Sequence, residues 1–309
     1  MSLPAYLRRF RRDADFLPTL ERWVPDLLLE VQGIAEGANL PLEDCRCLQY
    51  LDEHWQHLGQ IAVDHAQPST CSIVSRPPCL GQNMDLPKYL DGFQTLLRLR
   101  YPDSGLELLV PSFAGLIGLF GISNRGFALC VNTLSQLRTS PTGLPVAYVV
   151  RSALERASLE DAVDHLGRVP HASGQSYVVG GQATLVNLEC SAGGVVRCRE
   201  GAGGICHTNH PLASDDLREG KIGWDSDRAE ADLAHGLTFS RLERLERGIG
   251  CEPLTVERAK RLLEEVAHPP DGPFDVFTFS SAVFELGVPP AAHVASGPVG
   301  TPYRQVELA

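Results

Sequence analysis

The chain has 309 residues, a formal net charge of −11, 43% hydrophobic and 21% charged residues, enough apolar content to fill the core of one large domain or two ordinary ones. This composition argues against a disordered chain, and the acidic balance against a nucleic-acid binder, because phosphate contacts need clustered Lys and Arg. No apolar run reaches the roughly 18 residues of a membrane span, and "MSLPAYLRRFRRDADFL" lacks a secretory h-region, so a cytoplasmic protein without membrane contact is expected.

Residues 1 to about 65 show helical apolar spacing, in "LPTLERWVPDLLLEVQGIAEGANL" and again in "LEDCRCLQYLDEHWQHL". The one basic cluster, "LRRFRR", reads as a solvated helix face. From Cys71 short β-like runs follow: "CSIV", "LGQNMDL", "FQTLLRLRY", "LELLVPSF" and "LFGISNRGFALCVNTL", the last with a tight turn at Asn124-Arg125-Gly126. Two helices come next, "PVAYVVRSALERA" and "SLEDAVDHLGRV", the second opened by a Ser158 cap. Strands resume in "SYVVGG", "ATLVNLECS", "GGVVRCRE" and "GGICHTNH". The helices "TFSRLERLERGIG" and "TVERAKRLLEEVA" and the strands "FDVFTFSSAVFEL" and "YRQVEL" complete the chain.

Hairpin-linked strands with helices in pairs predict an α+β fold of stacked antiparallel sheets covered by helices, not a doubly wound parallel sheet. No GxGxxG or P-loop sequence opens a helix, so nucleotide binding lacks its usual sign. Nine cysteines, an odd number at irregular spacing, do not make a disulfide framework. "CHTNH" at Cys206 to His210 would alternate along a strand and does not build a tetrahedral cage, so no metal or cofactor is expected.

A cysteine alone is most often an inert core residue. Cys71 is followed fourteen residues later by Asp85 in "GQNMDL", where Asn83 and Asp85 fall on one face of a strand. Such a polar pair inside an apolar sheet needs a partner or a purpose.

Cys71, then "GQNMD", "GISNRGFALCVNTL", "PTGLP" before a helix with "RSALE", and "HTNH" resemble the acyl-coenzyme A:6-aminopenicillanic acid acyltransferase family, peptidase family C45. That family belongs to the N-terminal nucleophile (Ntn) hydrolases. The resemblance runs in register from about residue 29 to about residue 285 and implies a four-layer αββα sandwich. It also implies a precursor that cleaves itself between Thr70 and Cys71, leaving a helical small chain, 1–70, associated with a catalytic chain, 71–309. One residue then carries both thiol and general base, because a free α-amine titrates near pH 8.

By the same resemblance Asp85 holds the α-amine and thiol, and Asn209 supplies the oxyanion donor, a contribution of roughly 3 kcal/mol. Asn83 and Asn132 fall at a motif position and a pocket wall. His207 and His210 flank the oxyanion asparagine as supporting groups, and Glu189 holds another polar group. The implied reaction passes a small N-acyl amide or acyl thioester, acyl-CoA among the donors, through a Cys71 thioester to water or an amine.

Three departures stand out. Thr70 replaces the usual glycine before the nucleophile, the arginine expected before the C-terminal strands falls at Gly272 or a neighbour, and the "GxxHG" segment usual near the family's N-terminus is absent, which suggests a shortened propeptide. They keep open a degenerate, unprocessed member acting as a binding or structural protein. A third reading is a conventional Cys/His hydrolase using His207 or His210 as base.

Overall fold

The computed structural model describes residues 3–61, 70–219, 228–250, 252–297 and 300–309. Five helices open the chain: α1 (Leu3–Asp13), α2 (Leu17–Trp23), α3 (Pro25–Ala38), α4 (Leu42–Leu48) and α5 (Leu51–Ile61). Strands β1 (Ser72–Arg76), β2 (Cys79–Pro87), β3 (Gln94–Tyr101), β4 (Leu106–Phe113), β5 (Gly121–Ser123) and β6 (Phe127–Thr133) lead to α6 (Val146–Leu154) and α7 (Leu159–Arg168). Then come β7 (Gln175–Gly181), β8 (Leu185–Ser191), β9 (Gly194–Gly201), β10 (Ile205–His207), α8 (Arg228–Ala234), α9 (Thr238–Ile249) and α10 (Val256–Glu265). The chain closes with β11 (Val276–Glu285), β12 (Ala291–Ala295) and β13 (Arg304–Glu307).

The strands form two antiparallel sheets, one of six in the order β10-β1-β2-β11-β12-β13 and one of seven running β3 to β9 in sequence. Helices α9 and α10 cover the first through Leu245 and Leu263 against Val74, Cys79 and Val283. Gly81 keeps that approach close: a Cβ there would lie 3.1 Å from Leu263 Cδ1 and 3.3 Å from Val283 Cγ2. Helices α6 and α7 cover the second sheet, so the layers run αββα, the α+β sandwich expected from the strand and helix order. The predicted turn at Asn124-Arg125-Gly126 is present, with Gly126 at φ +83°, a conformation that costs glycine little. The Ser158 cap accepts from the Asp161 N–H. Helix α8 and strand β12 are additions to the sequence-based elements.

Between the sheets the inward faces interleave, with Phe113 of β4 and Phe279 of β11 meeting edge to face at 6.4 Å. A polar bridge from Gln82 also joins them. β5 pairs with β6 only over Phe127–Leu129, so Val131 lacks a ladder partner on that side. The Gln82 side chain from β2 fills the gap, donating to Val131 O at 2.7 Å and accepting from its N–H at 2.9 Å. Both backbone groups would otherwise be buried unpaired.

The N-terminal helices share this core rather than standing apart. Gln49 donates to Gly115 O and accepts from the Ile117 N–H, and Tyr50 packs near Tyr148 of α6. Arg151 of α6, fully buried, grips both carboxylate oxygens of Glu30 at 2.9 Å. No helix among the described residues is long and apolar enough to cross a membrane. The eight cysteines among the described residues are free thiols.

Because the buried Arg151 guanidinium pairs with a carboxylate 121 residues away and also donates to the buried Ile117 O, removing it breaks the ion pair and leaves that carbonyl unpaired. Arg151→Met is expected to lower unfolding free energy by roughly 3 kcal/mol, measured by urea denaturation.

Candidate active site

Cys71 lies just ahead of β1, 7% exposed, with Sγ 3.5 Å from Met84 Sδ and 4.0 Å from Asp85 O. It lines a cavity of about 40 Å³ with Asp85, Val131, Thr133 and, from α5, Asp52 and Trp55. Burial, then the Asp85 carboxylate, push its thiol up to about 12. In the intact chain this sulfur is not a thiolate at neutral pH.

Asp85 follows from the alternation of β2: residues 81, 83 and 85 face the α9–α10 layer, and a β-bulge in β11 between Thr278 and Ser280 brings the Thr278 hydroxyl to Asp85 Oδ1 at 2.7 Å. Burial raises the Asp85 carboxyl to about 7 against the pull of Arg241 and Thr278. Oδ2 is buried and makes no hydrogen bond of standard geometry among the described residues. The Thr70 hydroxyl lies near enough to favour the ionised form. Asn83, on the same face, turns its amide away to Leu263 O at 2.7 Å, so β2 brings Asp85 to Cys71 and sends Asn83 to α10.

Asn209 follows the end of β10. Its N–H donates to Thr238 Oγ1, its side-chain amide donates to Thr133 O at 3.1 Å, and its Oδ1 accepts from Arg241. "HTNH" is not an alternating strand, because β10 ends at His207. His207 Nδ1 faces Thr208 O and Asn132 Oδ1, and Nε2 faces Glu189 Oε1 at 3.2 Å. Both ring nitrogens are thus committed to acceptors. His210 meets Thr238 Oγ1 at 2.9 Å and packs on Phe239, and burial takes its imidazole down to about 3. Glu189 collects the N–H groups of Leu212, Ala213 and Ser214 as well as His207, which together hold its carboxyl down at about 2 despite burial. It therefore fixes the loop after "HTNH", while Asn132 supports His207.

The guanidinium at the site comes from Arg241 of α9, not from the neighbourhood of Gly272, whose carbonyl accepts from Lys88 Nζ. Arg241 is 4% exposed. Nη1 donates to Thr70 O at 2.5 Å, Cys71 O at 2.8 Å and Ser72 Oγ at 2.7 Å, Nη2 to Asn209 Oδ1 at 3.1 Å, and Nε to Gly236 O at 2.9 Å. Asp232 of α8 caps the helix that carries it, accepting from the Phe239 and Ser240 N–H groups. A signal for this residue was present: Arg241 shares the buried stripe of α9 with Thr238, Leu242, Leu245 and Ile249, the spacing of a core-facing position.

The acyl-coenzyme A:6-aminopenicillanic acid acyl-transferase model matches residues 75–251, more than half of the chain. The chain belongs to this family. The matched span carries Asp85, Asn209 and Arg241. Over 200 residues the chain is 28% identical to the 40 kDa form of the acyl-coenzyme A:6-aminopenicillanic-acid-acyltransferase of Emericella nidulans, 62% of this chain and 53% of the relative, and so spans about half that relative's length. Among solved structures it is similar to a Caenorhabditis elegans N-acylethanolamine-hydrolyzing acid amidase ortholog (TM-score 0.49, 16% identity, 71% of this chain and 94% of that one). It is also similar to a mutant conjugated bile acid hydrolase from Clostridium perfringens (TM-score 0.47, 11% identity, 77% and 92%).

Within this acyl-transferase family member Glu189 gives a pH-dependent contribution of definite sign. Its folded carboxyl sits below the usual glutamate value of 4.5, at about 2, so its stabilisation is complete above pH 4.5 and is lost as pH falls toward 2. Glu189→Gln should remove roughly 2 to 3 kcal/mol at neutral pH and flatten the unfolding free energy between those limits, read by denaturant titration across pH.

Proposed function

We propose that the chain is a self-processing cysteine amidohydrolase or acyltransferase whose nucleophile is Cys71, freed as a new N-terminus by cleavage after Thr70. The observation that carries this reading is the guanidinium of Arg241 on the Thr70 carbonyl, beside a buried cysteine and an Asp85 oxygen without a hydrogen bond of standard geometry among the described residues. Attack of Sγ on the Thr70 carbonyl carbon forms a C–S bond and places negative charge on the oxygen that faces Nη1. Breaking the C–N bond, with the thiol proton passing to the nitrogen, leaves a thioester and the Cys71 amine. Water then releases the Thr70 carboxyl and restores the thiol.

The freed amine supports both halves of later turnover. Titrating near pH 8, it takes the Sγ proton, and as an ammonium it finds the acceptor it needs in Asp85 Oδ2. A second carbonyl bound over Sγ, from an N-acyl amide or an acyl thioester, becomes a thioester on Cys71, with Asn209 Nδ2 as oxyanion donor. Water completes hydrolysis, and an amine completes acyl transfer. The small chain stays in place through Glu30, Gln49 and α5, and the protein acts away from membranes in the cytoplasm.

The reading as a degenerate binding protein drew on a missing arginine and on Thr70. Arg241 fills the first gap, and its grip on the Thr70 carbonyl offsets the hindrance of a β-branched residue there.

Intact-mass spectrometry tests the reading. Wild type is expected as two chains that meet at Thr70/Cys71 and sum to the precursor plus one water, while Cys71→Ala stays whole. Asn209→Ala, in its processed form, should lose about 100-fold in kcat on an N-acyl amide. A wild type that stays single after prolonged incubation contradicts the proposal.

A further inference from the structure

His268 lies beside Asp85, linked to one carboxylate oxygen through Thr278 and standing near the other. It follows α10 and is 6% exposed, its ring set edge-on against Phe274 at 5.3 Å. Its N–H donates to Thr278 Oγ1 at 2.8 Å, and that hydroxyl donates to Asp85 Oδ1 at 2.7 Å. The Thr278 N–H returns to His268 O at 2.8 Å, so the two residues are locked to each other. On the other side of the carboxylate, His268 Nε2 stands 3.9 Å from Asp85 Oδ2. Both atoms are buried and without a hydrogen bond among the described residues.

A separation of 3.9 Å is about 1 Å too long for a hydrogen bond. Two buried polar atoms left unpaired cost roughly 1 to 3 kcal/mol each, and a donor on Nε2 would satisfy both. In the intact chain Thr70 lies beside the carboxylate, and cleavage releases it. Burial, then the charge of Arg241, take the His268 imidazole down to about 3. The ring is neutral at working pH, able to donate through Nε2–H without bringing a charge.

We propose that His268 is a positioning residue for Asp85: in the processed enzyme its Nε2–H closes onto Oδ2 and holds the carboxylate, ionised, against the α-ammonium of Cys71. The inference deepens the self-processing reading and rests on it. No covalent step runs through the imidazole, which keeps its proton throughout.

The expected effect has a sign. Asp85 is faced by Arg241 from α9, Cys71 ahead of β1, Asp52 from α5 across the cavity and His268 itself, while β11 offers only the Thr278 hydroxyl. Hydrolysis requires ionised Asp85 and fails as pH falls through its titration. A donor on Oδ2 favours the carboxylate, so removing it moves the acid limb to higher pH.

The test compares wild type, His268→Phe, His268→Gln and Thr278→Val, following chain cleavage by intact mass and hydrolysis of a chromogenic N-acyl amide from pH 5 to 9. His268→Phe should raise the acid midpoint of kcat by about one unit, a loss that approaches tenfold at pH values below the wild-type midpoint and vanishes well above it, with KM nearly unchanged. Thr278→Val should shift it the same way, and His268→Gln, which keeps an N–H donor, should return it toward wild type. Should His268→Phe not fold, isotope-labelled histidine NMR decides: processed wild type should show an exchange-protected His268 Nε2–H signal that uncut Cys71→Ala lacks. Wild-type acid limbs in His268→Phe and Thr278→Val, or no protected signal after processing, overturn the assignment while self-cleavage stands. An uncut wild type overturns both.

Discussion

Everything at the candidate site is arranged around one buried cation. The guanidinium of Arg241 is expensive to bury, and it is tolerable because every face of its fork meets an acceptor: two successive backbone carbonyls, a serine hydroxyl, an asparagine oxygen and the end of the preceding turn. Satisfying the cation thereby fixes the residues on both sides of the Thr70–Cys71 bond and the orientation of Asn209. With Oδ1 held by Arg241, the asparagine's amide nitrogen is left to donate to Thr133 O. The same cation acts on two neighbouring groups, opposing the burial that raises Asp85 and adding to the burial that lowers His268.

The N-terminal helices belong to this arrangement. Asp52 of α5 accepts from the Thr133 hydroxyl and from Gln175, while Trp55, three residues on, lines the same cavity as Cys71. Glu53 turns the other way, accepting from the first N–H of α6 and from Ser173, and burial raises its carboxyl to about 7. One helical turn thus closes the space over the sulfur and ties itself to the second sheet. A cavity of about 40 Å³ admits a few waters and is well below the roughly 300 Å³ of a ligand pocket.

Much of the architecture was legible in the chain because it is written in local periodicity. Strand alternation, the Asn-Arg-Gly turn and the Ser158 cap all come from interactions within a few residues. Helix α8 and strand β12 were not legible: α8 is a short acidic segment whose Asp232 acts on the next helix, and β12 gains its meaning only from β11 and β13 on either side. At the site, the same-face relation of Asn83 and Asp85 could be read from β2, yet their different partners depend on a bulge in β11 and on α10, elements about 180 residues away. Arg241 was hidden for the same reason. In "TFSRLERLERGIG" it looks like one more exposed charge, and only its place in the apolar stripe marks it as inward.

The central claim is that thiol and amine come to reside on one residue, Cys71. A reagent that condenses only with a 1,2-aminothiol, such as 2-cyanobenzothiazole, measures this directly when applied to the purified, denatured protein and followed by mass. The account predicts one adduct, on the chain beginning at Cys71, and none on Cys71→Ala. Failure of wild type to form any adduct, in protein that retains amide hydrolysis, would contradict it.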